Sequence, residues 1–437
     1  MPPAVEAAPP IHRAGPSSAS RIQSSPPPGS LDERKVLRIG LVLTAAFVAA
    51  AVVAYAVPAS RTGHWAGLHL ALAGAALVAV GTFMPHFGVT LAGAAPESPW
   101  LRLAGVVALA SGALLVVTGM VARVPAVAVA GALGLWLGLA TTAWTTLRPG
   151  MRPLSRRHPI AQAAYAVALA DVALGIGLPV LMLLGWEPAV AAWARLKSAH
   201  VWLNLFGFVS LTINATLVYL YPTILGARIR AHPTLVAMIG GGIVGPPLVA
   251  VGAVLGSQPL AGIGALITLL GAAGQLAYGF DVWRRRGRWT TDAGWHRLTS
   301  WHLSAAMGWY LLAVTAALVG VVRDGPAPAG WSIGALAIPL VAGWVLQVLV
   351  GAWTHLLPAV GSTDPATRAT NRAVLGRFPV VRLLVWNAAV LLAWLGLGTG
   401  AMAVAVAGVV AFATSVLLAV GLVVSALLSG RTSVAAS

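Results

Sequence analysis

Cysteine is absent from all 437 residues. Disulfides, thiolate metal sites and thiol catalysis are therefore excluded, and histidine, carboxylate, hydroxyl, amide and methionine remain as ligands. Charge is scarce as well: 8% of residues are charged and ten are acidic, against about 25% charged in an ordinary soluble domain. That composition excludes a fold built for water. No phosphate loop, dinucleotide fingerprint or hydrolase elbow stands in a strand-to-helix setting, so those enzyme classes have no motif here.

What the chain does have is long apolar sequence. Hydrophobic residues make up 59% of it, and mean hydropathy is +0.87. Runs of about 18 or more apolar residues recur, each able to cross roughly 30 Å of hydrocarbon at 1.5 Å per residue. They read as twelve spans, at 38–57, 65–87, 101–122, 125–147, 160–185, 199–225, 234–256, 260–282, 298–322, 331–357, 380–400 and 403–428. The expected fold class is all-α, a polytopic transmembrane helical bundle occupying residues 37–429. Residues 1–36 are rich in Pro, Ser and Ala and read as a disordered tail, with 430–437 a second, short one. The N-terminus lacks a signal peptide's charged start followed directly by an apolar core, so no cleavage is expected.

The basic residues test the span count independently. With the N-terminus cytoplasmic, 22 of the 27 Lys and Arg residues fall in inside segments. A missed or extra helix would scramble that alternation, so both termini are expected in the cytoplasm of an inner (plasma) membrane protein. The net charge of +17 follows from the same loops. It is assigned to lipid headgroups and orientation, and nucleic acid is excluded as a partner.

One stretch stands out, Lys197 to Leu225. At 100° per residue His200, Asn204 and Asn214 share a face of this helix, and polar groups inside a span mark a site by default. Asp171, near the middle of the fifth span, is the most deeply placed carboxylate. It is a packing group or a proton relay. Gly240-Gly241-Gly242, and Gly134 with Gly138, read as close helix contacts.

Ten histidines divide by position. His12, His158 and His232 lie in the tail or in basic loops. Topology puts His64, His69 and His200 toward the outer leaflet, and His86, His302 and His355 toward the inner one with His296 below them. His64, His86 and His296 read as capping or headgroup contacts. His69, His200, His302 and His355 each have a nearby glycine, Gly74, Gly207, Gly308 and Gly351, that would make room for a planar group. These four are the candidate haem or copper ligands, with Asn204 and Asn214 as hydrogen-bonding support. Trp295, Trp301, Trp309, Trp344 and Trp353 lie near the inner histidines and could line a pocket.

Twelve helices with cytoplasmic termini, and histidines in the second and sixth spans, resemble subunit I of the haem-copper oxidases. The sixth span, HVWLNLFGFVSLTINATLVYLYP, and the tenth, GWVLQVLVGAWTHLLP, look closest to the NnrS family of the nitric oxide response and to copper-oxidase-associated membrane proteins. The resemblance implies haem, with His69 and His200 as the ligands of the second and sixth spans. This chain departs from the pattern at the seventh span, which lacks a histidine pair for copper, and at Asn204, where a tyrosine belongs. The expectation is a haem- or copper-binding protein with a redox or gas-response role and no intact oxygen-reducing site. Whether it is an enzyme stays open. A redox partner protein fits this reading. Two alternatives stand beside it. One is a transporter or metal permease using breaks at Pro85, Pro179, Pro222, Pro246-Pro247 and Pro339. The other is a catalytically degenerate assembly partner. The second and sixth spans also share a histidine followed about 21 residues on by a proline (His64 to Pro85, His200 to Pro222).

Overall fold

The structure, a computed structural model, describes residues 31–57, 63–151, 159–287, 294–327, 336–361 and 364–432. Most of the 1–36 tail, and residues 433–437, lie outside the described residues. Twelve described helices are long and apolar enough to cross a membrane. The first four are α1 (Glu33–Ala56), α2 (Trp65–Ala92), α3 (Pro99–Ala122) and α4 (Pro125–Met151). Next come α5 (Pro159–Leu183), α6 (Trp193–Leu225), α7 (Pro233–Leu255) and α8 (Gln258–Arg284). The last are α9 (His296–Asp324), α10 (Ile338–Ala359), α11 (Pro379–Thr399) and α12 (Met402–Leu428). The chain is a multi-pass helical membrane protein.

Local chemistry explains these boundaries. Proline opens α3, α4, α5, α7 and α11, where its missing N–H has no intrahelical partner to lose. Left-handed Gly93, Gly226, Gly256 and Gly400 close α2, α6, α7 and α11, a conformation that costs glycine little. Several ends differ from the sequence reading: the second span continues to Ala92 and the last helix to Thr432, into the expected 430–437 tail. The 1–36 tail is shortened because the Asp32 side chain accepts from the Lys35 backbone N–H at 2.8 Å and caps α1 at Glu33. α6 starts earlier than the apolar run, at Trp193, carrying Arg195 and Lys197 on a polar first turn.

Consecutive helices run antiparallel. Close contacts pair Gly112 with Leu135 and Gly119 with Ala128 between α3 and α4, and Gly245 with Thr268 and Gly252 with Ala261 between α7 and α8. A Cβ at Gly112 would stand 2.7 Å from the Leu135 backbone nitrogen, so only glycine allows that approach. The pairs α7–α8 and α3–α4 have the most extensive contacts in the molecule, and Gly396 against Ala405 and Gly408 against Ala393 make α11–α12 a third glycine-lined hairpin. The helices therefore fall into three groups of four, each ending in a tight hairpin. The second helix of each group is the central one: α2, α6 and α10 have 67%, 78% and 78% of their spanning residues buried, against 22–56% for the others.

Those three central helices share a further feature. Each contains a stretch of wider π-helix, Leu70–Ala76, Trp202–Ser210 and Ile338–Val345. π-turns re-aim the side chains around them and occur often at functional sites. In α6 the uniform 100° step across Asn204 to Asn214 therefore does not hold. We call the end of the bundle that carries both chain termini the terminal end, and the opposite one the far end.

Candidate functional site

The histidines that begin α2 and α6 come together at the far end. The rings of His69 and His200 are 6.5 Å apart between centres and nearly parallel, at 16°. His69 also stacks on Trp65, one turn earlier, at 3.9 Å. Its Nδ1 lies 2.9 Å from the Trp65 carbonyl oxygen, and Nδ1 of His200 lies 2.7 Å from the Gly175 carbonyl oxygen on α5. A carbonyl only accepts, so in both rings Nδ1 carries the proton and Nε2 keeps its lone pair. Both rings are partly buried.

The Gly175 carbonyl is available for a definite reason. In a regular helix it would accept from the N–H four residues on, which here is Pro179, inside α5. Pro222 acts in the same way in α6. It releases the Val218 carbonyl, which accepts from the Tyr278 hydroxyl at 2.9 Å. These prolines leave their helices unbroken and supply acceptors to neighbouring helices.

Below the pair the α5–α6 contact is tight. A Cβ on Gly175 would collide with the Asn204 side chain, and one on Gly207 with the carboxylate of Asp171. The Asn204 amide donates to the His200 carbonyl at 2.7 Å, holding the turn that carries the histidine, and its nitrogen also lies 3.1 Å from the ring's Nδ1. Asp171 is buried, and among the described residues its Oδ2 has no hydrogen-bond partner. Asn214 serves neither histidine. Together with Ser210 it faces Tyr310 of α9, whose ring stacks on Trp344 at 4.9 Å, and the Trp344 indole donates to Ser210 Oγ at 3.1 Å. The expected single polar face of α6 is thus split between α5 and α9.

The other candidates lie at the terminal end and do not join this pair. His355 of α10 approaches His296 of α9, ring centres 6.5 Å apart and planes tilted 55°. His302 packs edge-on against Trp386 of α11 at 5.6 Å. His86 bonds Glu33 through Nδ1 at 2.8 Å, and Glu33 also pairs with the buried guanidinium of Arg102 at 2.9 Å. The nearby glycines do not open space as expected. Phe47 fills the notch at Gly74, Asp171 that at Gly207, and Leu303 with His302 that at Gly351, while nothing lies within 4 Å of a Cβ at Gly308. Trp309 and Trp344 are structural, bonding Asn387 and Ser210; the side chain of Trp295 lies outside the described residues. Relative to the π-segments it is His69, directly before that of α2, that corresponds to His200, two residues before that of α6.

Two participants escaped the sequence reading. Trp65 carried a signal, lying four residues before His69 and so on the same helix face. Gly175 carried one too, in Pro179 four residues later. Among the described residues no group of three or more His, Asp or Glu side chains is placed to hold a metal ion, so any group held at the far end rests on two imidazoles. No family model matches the chain, and no curated protein matches it either.

Proposed function

We propose that this protein is an integral membrane haem protein with a redox role, its haem held by His69 and His200. The observation that carries the reading is the ring pair, 6.5 Å between centres with each Nδ1 tied to a backbone carbonyl. The fit can be checked by length. Metal–imidazole nitrogen bonds are about 2.0–2.1 Å, so two nitrogens on opposite sides of one metal lie about 4 Å apart, and their ring centres somewhat over 6 Å. Hydrogen bonding of the second ring nitrogen is also what fixes the tautomer and orientation of a ligating histidine.

His69 and His200 would hold the haem, which would supply one-electron chemistry. The protein's own part is to hold two imidazoles in register and to keep bulk water away. Copper held by the same two residues is the lesser form of this reading. The positive-inside distribution supports a terminal end in the cytoplasm, with His69 and His200 toward the outer leaflet of a plasma membrane.

Protein purified from haem-replete cells should show a Soret band that shifts on reduction. His69→Ala and His200→Ala should each abolish it, while His302→Ala and His355→Ala should retain it. Colourless, metal-free wild-type protein would end this reading.

A further inference from the structure

The terminal end holds a second candidate site, of different chemistry. A cavity of about 330 Å³ lies between α9, α10, α11 and α12, at the low end of the roughly 300–1,000 Å³ of small-molecule pockets. Its floor is buried and contains His302, Trp386 and Ala419. Its rim includes Val381, Val385 and Leu418, all exposed on membrane-spanning helices. The mouth therefore opens toward lipid and not toward water.

His302 is the unusual member. It is 1% exposed, and among the described residues neither ring nitrogen has a hydrogen-bond partner. Leaving such a buried group unpaired is unfavourable, so a ligand that satisfies it is favoured. The sequence makes His302 a metal-ligand candidate, yet no second histidine or carboxylate lines this cavity. One imidazole is a poor metal site. It is a good partner for an oxygen, since the neutral ring offers one donor and one acceptor. Arg382 adds donors beside it, having given one N–H to the Leu375 carbonyl at 2.7 Å. The Ser415 hydroxyl donates within its own helix, to the Ala411 carbonyl at 2.9 Å, and keeps lone pairs toward the cavity.

Depth decides which oxygen. His302 lies six residues inside the start of α9, or about 9 Å along the helix at 1.5 Å per residue. A lipid phosphate reaching it would carry its charge below the headgroup layer, which is expensive. A neutral carbonyl or hydroxyl on an apolar ring carries no such penalty, and its tail can leave through the lipid-facing mouth. We propose that this cavity binds the head of a lipid-dissolved quinone or quinol, with His302 and Arg382 on its oxygens and Trp386 against its ring.

The proposal is independent of the haem at the far end. The full-length protein in phosphatidylcholine nanodiscs would be labelled with an azidoquinone photoprobe and the labelled peptides mapped, with decylubiquinone as competitor. Saturable labelling of α11 or α12, competed by decylubiquinone, is the expected result. His302→Leu should lower labelling at least about tenfold through loss of the buried hydrogen bonds, and His302→Gln, which keeps a donor and an acceptor, should restore most of it. Ala411→Trp, which fills the mouth from the lipid side, should match His302→Leu and carries the test should that variant misfold. His69→Ala should label like wild type, whatever becomes of the haem. Unsaturable labelling, labelling spread over many helices, or unchanged labelling in both His302→Leu and Ala411→Trp would overturn the proposal. Displacement of the probe by phosphatidylglycerol but not by decylubiquinone would overturn it as well, in favour of an anionic headgroup.

Discussion

His200 at the far end and His86 at the terminal end each fix one ring nitrogen, and the nature of the partner separates their roles. His200 meets a neutral carbonyl, which pins the proton on Nδ1 and leaves Nε2 free to act. His86 meets the Glu33 carboxylate, which also pairs with Arg102, and is tied into that cluster by a hydrogen bond. Histidine on two central helices is thus a ligand candidate in one setting and a structural hydrogen-bonding group in the other. The deciding groups belong to other helices.

Breaking the terminal cluster should have the largest effect on stability. Glu33→Gln strands the Arg102 guanidinium, whose side chain is 2% exposed, and removing one partner of a buried pair costs about 3–5 kcal/mol. The low end applies, because the Glu33 side chain is 31% exposed. Thermal unfolding in detergent should show the drop, with any Soret band of the folded protein unchanged. At the far end Gly207→Val should drive a side chain into Asp171 and cost about 1–3 kcal/mol by overpacking. Gly308→Ala, with nothing within 4 Å, should be tolerated in the same melt.

A subtler change sharpens the contrast between the two kinds of partner. Pro179→Ala returns an N–H to the Gly175 carbonyl, which then has less need of His200. Loss of such a supporting bond typically weakens a metal site by about 10–100-fold, and haem titration should place this variant near the lower figure without loss of fold. The smallest effect concerns Asp364, which lies outside the spans and caps the helix Pro365–Leu375. Hydrogen bonds from the Thr367 hydroxyl and backbone N–H hold its carboxyl below the usual range. A depressed carboxylate stabilises above its unfolded value, about 3.9, and that support is lost as pH falls through the lower folded value. Protection of the 365–375 amides, measured relative to their intrinsic exchange rates, should therefore fall on acidification below about pH 4, and Asp364→Ala should already show low protection at neutral pH.

Much of the architecture was legible in the chain. Twelve apolar runs, with proline at many starts and glycine at several ends, located the helices to within a few residues in most cases. Polar residues in the sixth span drew attention to the helix that proves among the most buried. Other inferences failed for a common reason. A uniform helical step put Asn214 beside His200, whereas the π-segment redirects it toward Tyr310. Glycines near the histidines suggested open room, but neighbouring helices fill most of those notches. Arg102, legible only as one more cytoplasmic charge, is buried because Glu33 and the Thr82 carbonyl receive it.

The sequence by itself determined that this chain crosses a membrane, how many times, and which residue types could do chemistry there, because hydropathy, helix caps and missing cysteine are properties of short segments. Only the tertiary structure decided that His69 meets His200, that His302 faces a lipid-side cavity instead, and that Pro179 serves a neighbouring helix. Those outcomes depend on side chains more than a hundred residues apart in some cases, brought into register by glycine-lined hairpins and by π-turns whose effect on direction no local period reveals.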